Sequence, residues 1–242
     1  MTTAAHERLL VALDTPDADR ARSLARSLAG VVGGFKIGLE LFTSAGPRLV
    51  DEIRSSAATV FLDLKFHDIP NTVAGAAAAA ARAGVSLFTV HALGGPEMIR
   101  RAVESAGDAA SAAGLAAPCV LAVTVLTSHD DETLDRLGLA GPCGGAVLRL
   151  AALAADAGAG GIVCSAHEVA EVRRLFPGGL LVVPGIRPAG AAGDDQRRVA
   201  TPARALALGA DRLVIGRPIT GAADPHAAAA AIVEEIRRGE PA

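Results

Sequence analysis

The stretch Thr59-Val60-Phe61-Leu62-Asp63-Leu64-Lys65 decides the fold. It is β-rich and apolar until its end, where an aspartate and a lysine enter at alternate positions. Side chains alternate faces along a strand. Val60, Leu62 and Leu64 therefore share one face, expected against helices, while Phe61, Asp63 and Lys65 share the other, expected inside a barrel. A strand apolar on both faces belongs in a covered parallel sheet.

Runs of the same kind recur on either side. They are Leu9–Leu13, Val31–Ile37, Leu87–His91, Val120–Leu126, Gly161–Ser165, Leu180–Pro184 and Arg212–Gly216, which with Thr59–Lys65 makes eight. Between them lie helix-compatible stretches, among them Asp17–Ala29, Thr72–Ala83, Glu97–Ala113, Ala146–Ala157, Glu168–Phe176 and Pro225–Arg238. Asp17, Asp19 and Glu97 fall in first turns and Arg237 and Arg238 in a last turn, as the helix dipole prefers. Strands alternating with helices predict parallel βαβ units. Eight of them in 242 residues predict an α/β protein, a (β/α)8 TIM barrel, with residues 1–242 as a single domain.

Composition narrows the function. Net charge is −3 with the signs mixed along the chain, there is no Trp or Tyr, and there are 6 Phe. That leaves neither a basic stripe nor stacking platforms for nucleic acid. No apolar run approaches a membrane span. The N-terminal segment carries no apolar signal core, so a cytoplasmic protein is expected. Cys119, Cys143 and Cys164 are odd in number and widely spaced, which argues against a disulfide framework or a zinc site.

Barrel active sites lie at the carboxyl ends of the strands. Strand one ends at Asp14, strand two carries Lys36 between Gly34 and Gly38, and Asp63, Lys65 and Asp68 follow on strand three. Strand two is expected to place Val32, Gly34, Lys36 and Gly38 on one face, with the glycines leaving room beside Lys36. An isolated Asp/Lys pair reads as readily as a structural ion pair. Five charges of alternating sign at one barrel mouth are costly unless mutually paired, and such coupled groups mark functional sites. Strand eight ends in Gly216-Arg217 and strand seven in Pro184-Gly185-Ile186-Arg187. A Gly and an Arg after strands seven and eight suit a phosphate ester, because backbone N–H groups approach closely and the guanidinium clamps the oxygens. His67 reads as a surface or supporting residue and His91 as a satisfied core histidine. No His, Asp or Glu spacing calls for a metal.

The stretch DLKFHDIPNTV (Asp63–Val73) resembles the signature of the orotidine 5′-phosphate decarboxylase family. The resemblance extends over VALD (Val11–Asp14), FKIGLELF (Phe35–Phe42), VHALGG (Val90–Gly95), VTVLTS (Val123–Ser128), VPGIRP (Val183–Pro188), DDQRRVATP (Asp194–Pro202) and VIGRPIT (Val214–Thr220). The Asp-x-Lys-x-x-Asp core is shared with related sugar-phosphate decarboxylases and synthases. The following Ile69-Pro70-Asn71-Thr72 separates the two, and the chain is similar to the bacterial single-function branch.

The resemblance implies decarboxylation of orotidine 5′-phosphate to UMP, the last step of de novo UMP synthesis, without a cofactor. It implies that Asp14 and Lys36 bind the ribose, with Lys36 also ordering the charge network. Asp63 would lie against the substrate carboxylate and Lys65 would donate the proton. Asp68 and Thr72 would reach the partner's site in a homodimer. Thr127 would hold the pyrimidine edge, and Gln196 would bridge base and phosphate from a closing loop. Arg187, Gly216 and Arg217 would bind the phosphate, with Pro184 beside them in the substrate site.

Three rivals stand against this reading. One is a magnesium-dependent sugar-phosphate lyase of the same barrel family. A second is a non-catalytic phosphate-ligand sensor, which need not keep a proton donor. The third is a Schiff-base aldolase using Lys36 or Lys65, for which a lysine held between carboxylates is in the wrong protonation state.

Overall fold

The computed structural model of the chain describes residues 3–57, 59–188 and 200–239. Its strands are β1 (Leu9–Ala12), β2 (Gly34–Gly38), β3 (Thr59–Phe66), β4 (Leu87–His91), β5 (Cys119–Val123), β6 (Gly161–Val163), β7 (Leu180–Val183) and β8 (Arg212–Ile215). Each pairs in parallel with the next, and β8 pairs with β1, so the sheet closes in the order β1 to β8. The expected (β/α)8 barrel is the observed fold.

Among the described residues eleven α-helices are interleaved with the strands: α1 (Ala18–Leu28), α2 (Leu39–Ala45), α3 (Arg48–Arg54), α4 (Pro70–Arg82), α5 (Gly95–Ala112), α6 (Asp131–Arg136), α7 (Cys143–Asp156), α8 (Val169–Leu175), α9 (Pro202–Ala207), α10 (Arg217–Thr220) and α11 (Pro225–Gly239). The six long stretches expected from sequence are all present. Asp17 proves to be the N-cap of α1, its carboxylate accepting from the N–H groups of Asp19 and Arg20. That satisfies two donors that a helix start leaves open. The five additional helices α2, α3, α6, α9 and α10 have seven residues or fewer. Two turns or less hold too few residues for a 3.6 period to stand out.

The barrel has two separate apolar layers. Leu10, Ala12, Phe61, Leu87, Leu121, Val182 and Val214 fill the interior, so it is a packed core and not a pore. The outer layer lies between sheet and helices and contains Val60, Leu62, Phe35, Ile37 and the alanines of α4 and α5. Small side chains on those two helices allow close helix–sheet approach. The alternation read from strand three is therefore correct: Phe61 faces in and Val60 and Leu62 face out.

Strand two departs from expectation at its start. Val31 and Val32 both donate their N–H to Leu28 O, closing the turn after α1, and Val32 packs in the outer layer. The strand begins only at Gly34, so the in–out count does not run back to Val32. Gly34 itself serves the sheet: a Cβ there would sit 2.1 Å from Thr59 O. Gly38 is the glycine that makes room beside Lys36, since a Cβ there would meet Lys36 Nζ at 2.9 Å and Asp14 Oδ1 at 3.2 Å.

Candidate active site

The carboxyl ends of the strands surround a cavity of about 340 Å³. Its floor is the top of the inner layer, Ala12, Phe61, Val182 and Val214. Its walls carry Asp14, Lys36, Asp63, Lys65, Thr127, Pro184, Arg187, Gly216 and Arg217. Residues from six of the sequence segments, those of β1, β2, β3, β5, β7 and β8, thus meet in one place.

Four charges form a chain along one wall. Lys36 Nζ lies 3.0 Å from Asp14 Oδ1 and 3.6 Å from Asp63 Oδ2. Lys65 Nζ lies 2.9 Å from Asp63 Oδ1. The side chains of Lys36 and Asp63 are only 11% and 14% exposed, whereas Asp14 is 56% exposed. The middle of the network is therefore largely withdrawn from water and its Asp14 end is wet. Burial pushes the Asp63 carboxyl up, but Lys36, Lys65 and the hydrogen bonds from Lys65 and Thr89 outweigh it and hold the group below the ordinary carboxylate range.

The backbone at the end of β3 is unusual. β3 and β4 pair at Leu62↔Phe88 and again at Phe66↔Val90, so the register shifts between them. Within this bulge Lys65 has φ 50°, the only positive φ of a non-glycine among the described residues. The left-handed region costs an L-residue roughly 1–2 kcal/mol. Such outliers persist where the surroundings hold them, commonly at active sites. Here the holding group is Thr89 on β4, whose Oγ1 accepts the Lys65 N–H at 2.9 Å and donates to Asp63 Oδ1 at 3.0 Å.

Arg187, Gly216 and Arg217 line the same cavity, with Gly216 beside the Asp14 end of the network, where a Cβ would lie 3.6 Å from Asp14 Oδ2. Arg187 is fixed by its N–H to Ala200 O (3.0 Å) and by its guanidinium to Ile186 O (3.1 Å). Gly216 and Arg217 open α10 directly after β8. Thr127 sits beyond the end of β5, because Thr124–Leu126 leave the ladder earlier than the sequence suggests, and Val125 and Leu126 become cavity wall instead.

Not every expected residue lies here. Asp68 does not line the cavity; β3 ends at Phe66, so Asp68 stands on the connection beyond it, exposed, with Oδ1 accepting the Ile69 N–H at 2.6 Å. The expectation that five charges share one mouth is corrected to four. Thr72 lies in the first turn of α4, exposed and outside the cavity. Gln196 falls outside the described residues. His67 is exposed and stacks on His91, with ring centroids 5.4 Å apart. His91 is half-buried, and its Nδ1 faces the Leu93 N–H at 3.4 Å. Burial, with the positive fields of His67, Lys65 and His129, pushes its imidazole down to about 4.

Thr89, which lies off the cavity, and Cys164, which lines it, are not singled out by the sequence as site residues. Thr89 hides in an apolar strand, where a β-branched residue is read only as a strand former. Its signal is a lone hydroxyl on the strand next to Asp63. Cys164 lines the cavity at the end of β6, and burial pushes its thiol up to about 12, which makes it an unreactive wall. Among the described residues no group of three or more His, Cys, Asp or Glu is placed to hold a metal ion.

Fold and site together define a (β/α)8-barrel protein whose mouth brings a largely buried Asp/Lys charge network and the Gly/Arg residues that follow β7 and β8 into one cavity. The model of the Orotidine 5′-phosphate decarboxylase / HUMPS family matches residues 7–232, and the chain belongs to that family. It is 57% identical over 227 residues to an orotidine 5′-phosphate decarboxylase of Anaeromyxobacter sp. (strain K), covering 93% of this chain and 96% of that protein. It is 55% identical over 237 residues to the enzyme of that name from Halorhodospira halophila, covering 98% of each. The crystal structure of orotidine 5′-phosphate decarboxylase from Lactobacillus acidophilus superposes with a TM-score of 0.82 at 39% identity, covering 94% of this chain and 98% of that one.

Proposed function

We propose that this chain decarboxylates orotidine 5′-phosphate to UMP and carbon dioxide, as its relatives' names describe, using one barrel domain and no cofactor. The observation that carries the reading is the Asp14–Lys36–Asp63–Lys65 network sharing one cavity with Arg187 and Arg217, with Gly216-Arg217 by its Asp14 end and Lys65 at its other end. A nucleoside monophosphate has its phosphate at one end and its base at the other, which matches that order.

Loss of the carboxylate leaves an electron pair in the plane of the pyrimidine ring, where the ring does not delocalise it. A fixed positive charge next to that carbon stabilises it as it forms. Lys65 supplies the charge and then the proton. Asp63, 2.9 Å away and held ionised, keeps the ammonium in place and faces the substrate carboxylate. Lys36 and Asp14 bind the ribose, and Lys36 also holds Asp63 from its other oxygen. Thr127 holds the pyrimidine edge. Arg187, Gly216, Arg217 and Pro184 hold the phosphate end, and Gln196 links base to phosphate.

The active form is a homodimer with shared sites. Asp68 and Thr72 are exposed and do not line their own cavity, and Leu39, Ile69 and Leu93, which follow β2, β3 and β4, are 56%, 67% and 42% exposed. Large exposed apolar side chains after three consecutive strands support a covered surface at that end of the barrel. The protein works in the cytoplasm, a reading supported by cysteines that are odd in number and widely spaced in the sequence. The magnesium-dependent sugar-phosphate reading has no comparable support, since relatives 49–58% identical carry the decarboxylase name. Incubation with orotidine 5′-phosphate followed by chromatography tests the proposal: UMP is the expected product, and unchanged substrate rejects it.

A further inference from the structure

Thr89 is fully buried, belongs to β4, and touches no part of the cavity. It nevertheless contacts both members of the pair that faces the reacting carbon. N–H groups of an inner strand alternate between its two neighbours, and Val60, whose N–H and O both meet Ser86, puts the even positions of β3 toward β4. A regular ladder would therefore send the N–H of Lys65 toward β2, but Lys65 lies within the register shift between Leu62 and Phe66. Its N–H instead meets a side-chain oxygen of β4: Thr89 Oγ1 accepts it at 2.9 Å. An N–H aimed at the hydroxyl oxygen leaves the hydroxyl proton free to point elsewhere, and Asp63 Oδ1 receives it at 3.0 Å. The same Oδ1 accepts Lys65 Nζ at 2.9 Å. Thr89, Asp63 and Lys65 therefore close a ring of three hydrogen bonds: backbone to hydroxyl, hydroxyl to carboxylate, carboxylate to ammonium.

We propose that Thr89 is a positioning residue for the decarboxylation, its hydroxyl holding the left-handed turn that presents Lys65 and fixing the oxygen of Asp63 that orients the ammonium. This rests on the proposed decarboxylase reading. Valine keeps the shape of threonine and removes the hydroxyl; serine keeps the hydroxyl. In Thr89→Val the Lys65 N–H loses its acceptor and Asp63 loses one donor, so the ammonium is no longer held over one point. Phosphate and base are gripped by other residues, so ground-state binding is nearly untouched.

The test is steady-state kinetics of wild type, Thr89→Val, Thr89→Ala and Thr89→Ser on orotidine 5′-phosphate, with circular dichroism to verify folding. In the valine and alanine variants kcat is expected to fall by ~10- to 100-fold with KM within about threefold, because the loss is confined to the transition state. Serine restores kcat to within about threefold of wild type, a split that a packing role would not produce. The acid limb of the kcat profile also moves to higher pH in Thr89→Val, since one stabiliser of the Asp63 anion is gone. A folded valine or alanine variant with wild-type kcat overturns the proposal, as does a serine variant impaired as much as valine. The serine arm decides even if both hydroxyl-free variants fail to fold. Wild-type protein that makes no UMP rejects the decarboxylase reading instead, which keeps the two failures apart.

Discussion

At Lys65 the chain holds a long side chain on a left-handed backbone with its ammonium against a carboxylate that is 14% exposed. Stability alone does not favour that arrangement, because breaking or desolvating such a pair is costly and the turn is strained. Its value lies in fixing one charge at one point. Lys65→Ala is therefore expected to retain UMP binding, read by calorimetric titration, while turnover falls by at least ~10²-fold, the low end for loss of a positioned proton donor. Near-normal turnover in that variant would remove Lys65 from the role. Arg217 acts differently, since the phosphate does not react. Arg217→Ala should raise KM by about 10- to 100-fold, the worth of a charge-assisted hydrogen bond of ~1.5–3 kcal/mol, and lower kcat far less. A large loss of turnover at saturating substrate would show that the clamp acts on the transition state as well. Sequence made both residues visible because each is a charge at the end of an apolar strand. Thr89 was illegible for the opposite reason: its polarity is concealed by a residue type that strands favour, and its partners are set by a bulge no periodicity announces.

Among the elements, all eight strands were legible and six of them to within two residues, because a strand buried on both faces is apolar until it reaches the mouth, while β2 starts and β5 ends three residues away from the expected bounds. The short helices were not, and neither was the lock at the amino ends of β7 and β8. There the Arg173 guanidinium donates to Gly209 O, Pro177 O and Gly179 O and pairs with Asp211, which also accepts the Leu181 N–H. These bonds join α8, β7 and β8 on the side of the barrel opposite the cavity. Arg173→Ala should lower unfolding free energy by about 2–3 kcal/mol while leaving kcat unchanged, since it leaves several partly buried acceptors without a donor. Urea unfolding with parallel assays measures both, and a variant as stable as wild type would contradict the lock. The stacked pair at the ends of β3 and β4 adds a pH dependence. His91 titrates near 4 in the fold against 6.5 when unfolded, so the unfolded chain binds the extra proton first. Stability contributed by neutral His91 is complete above 6.5 and declines as pH falls from 6.5 toward about 4. The urea midpoint of His91→Gln should vary less over that window than that of wild type; equal slopes would contradict the assignment.

For the whole molecule, the barrel places every proposed substrate contact described here on one end and leaves Asp68 and Thr72 outside their own cavity. The resemblance implies that Asp68 serves the partner's site, and the end of β3 at Phe66 leaves it off the strand that carries Asp63 and Lys65. If two chains share sites, mixing Asp68→Ala with Lys65→Ala protein should restore activity to about a quarter of wild type, since half the random dimers carry one intact site of two. No recovery despite demonstrated subunit exchange would leave each cavity self-contained. The central claim is a decarboxylation driven by fixed side-chain charge and needing no metal. It is tested most directly by following the absorbance of orotidine 5′-phosphate with purified protein in excess EDTA. The account predicts loss of substrate absorbance at the same rate with and without the chelator, and activity that stops in EDTA and returns with magnesium would contradict it.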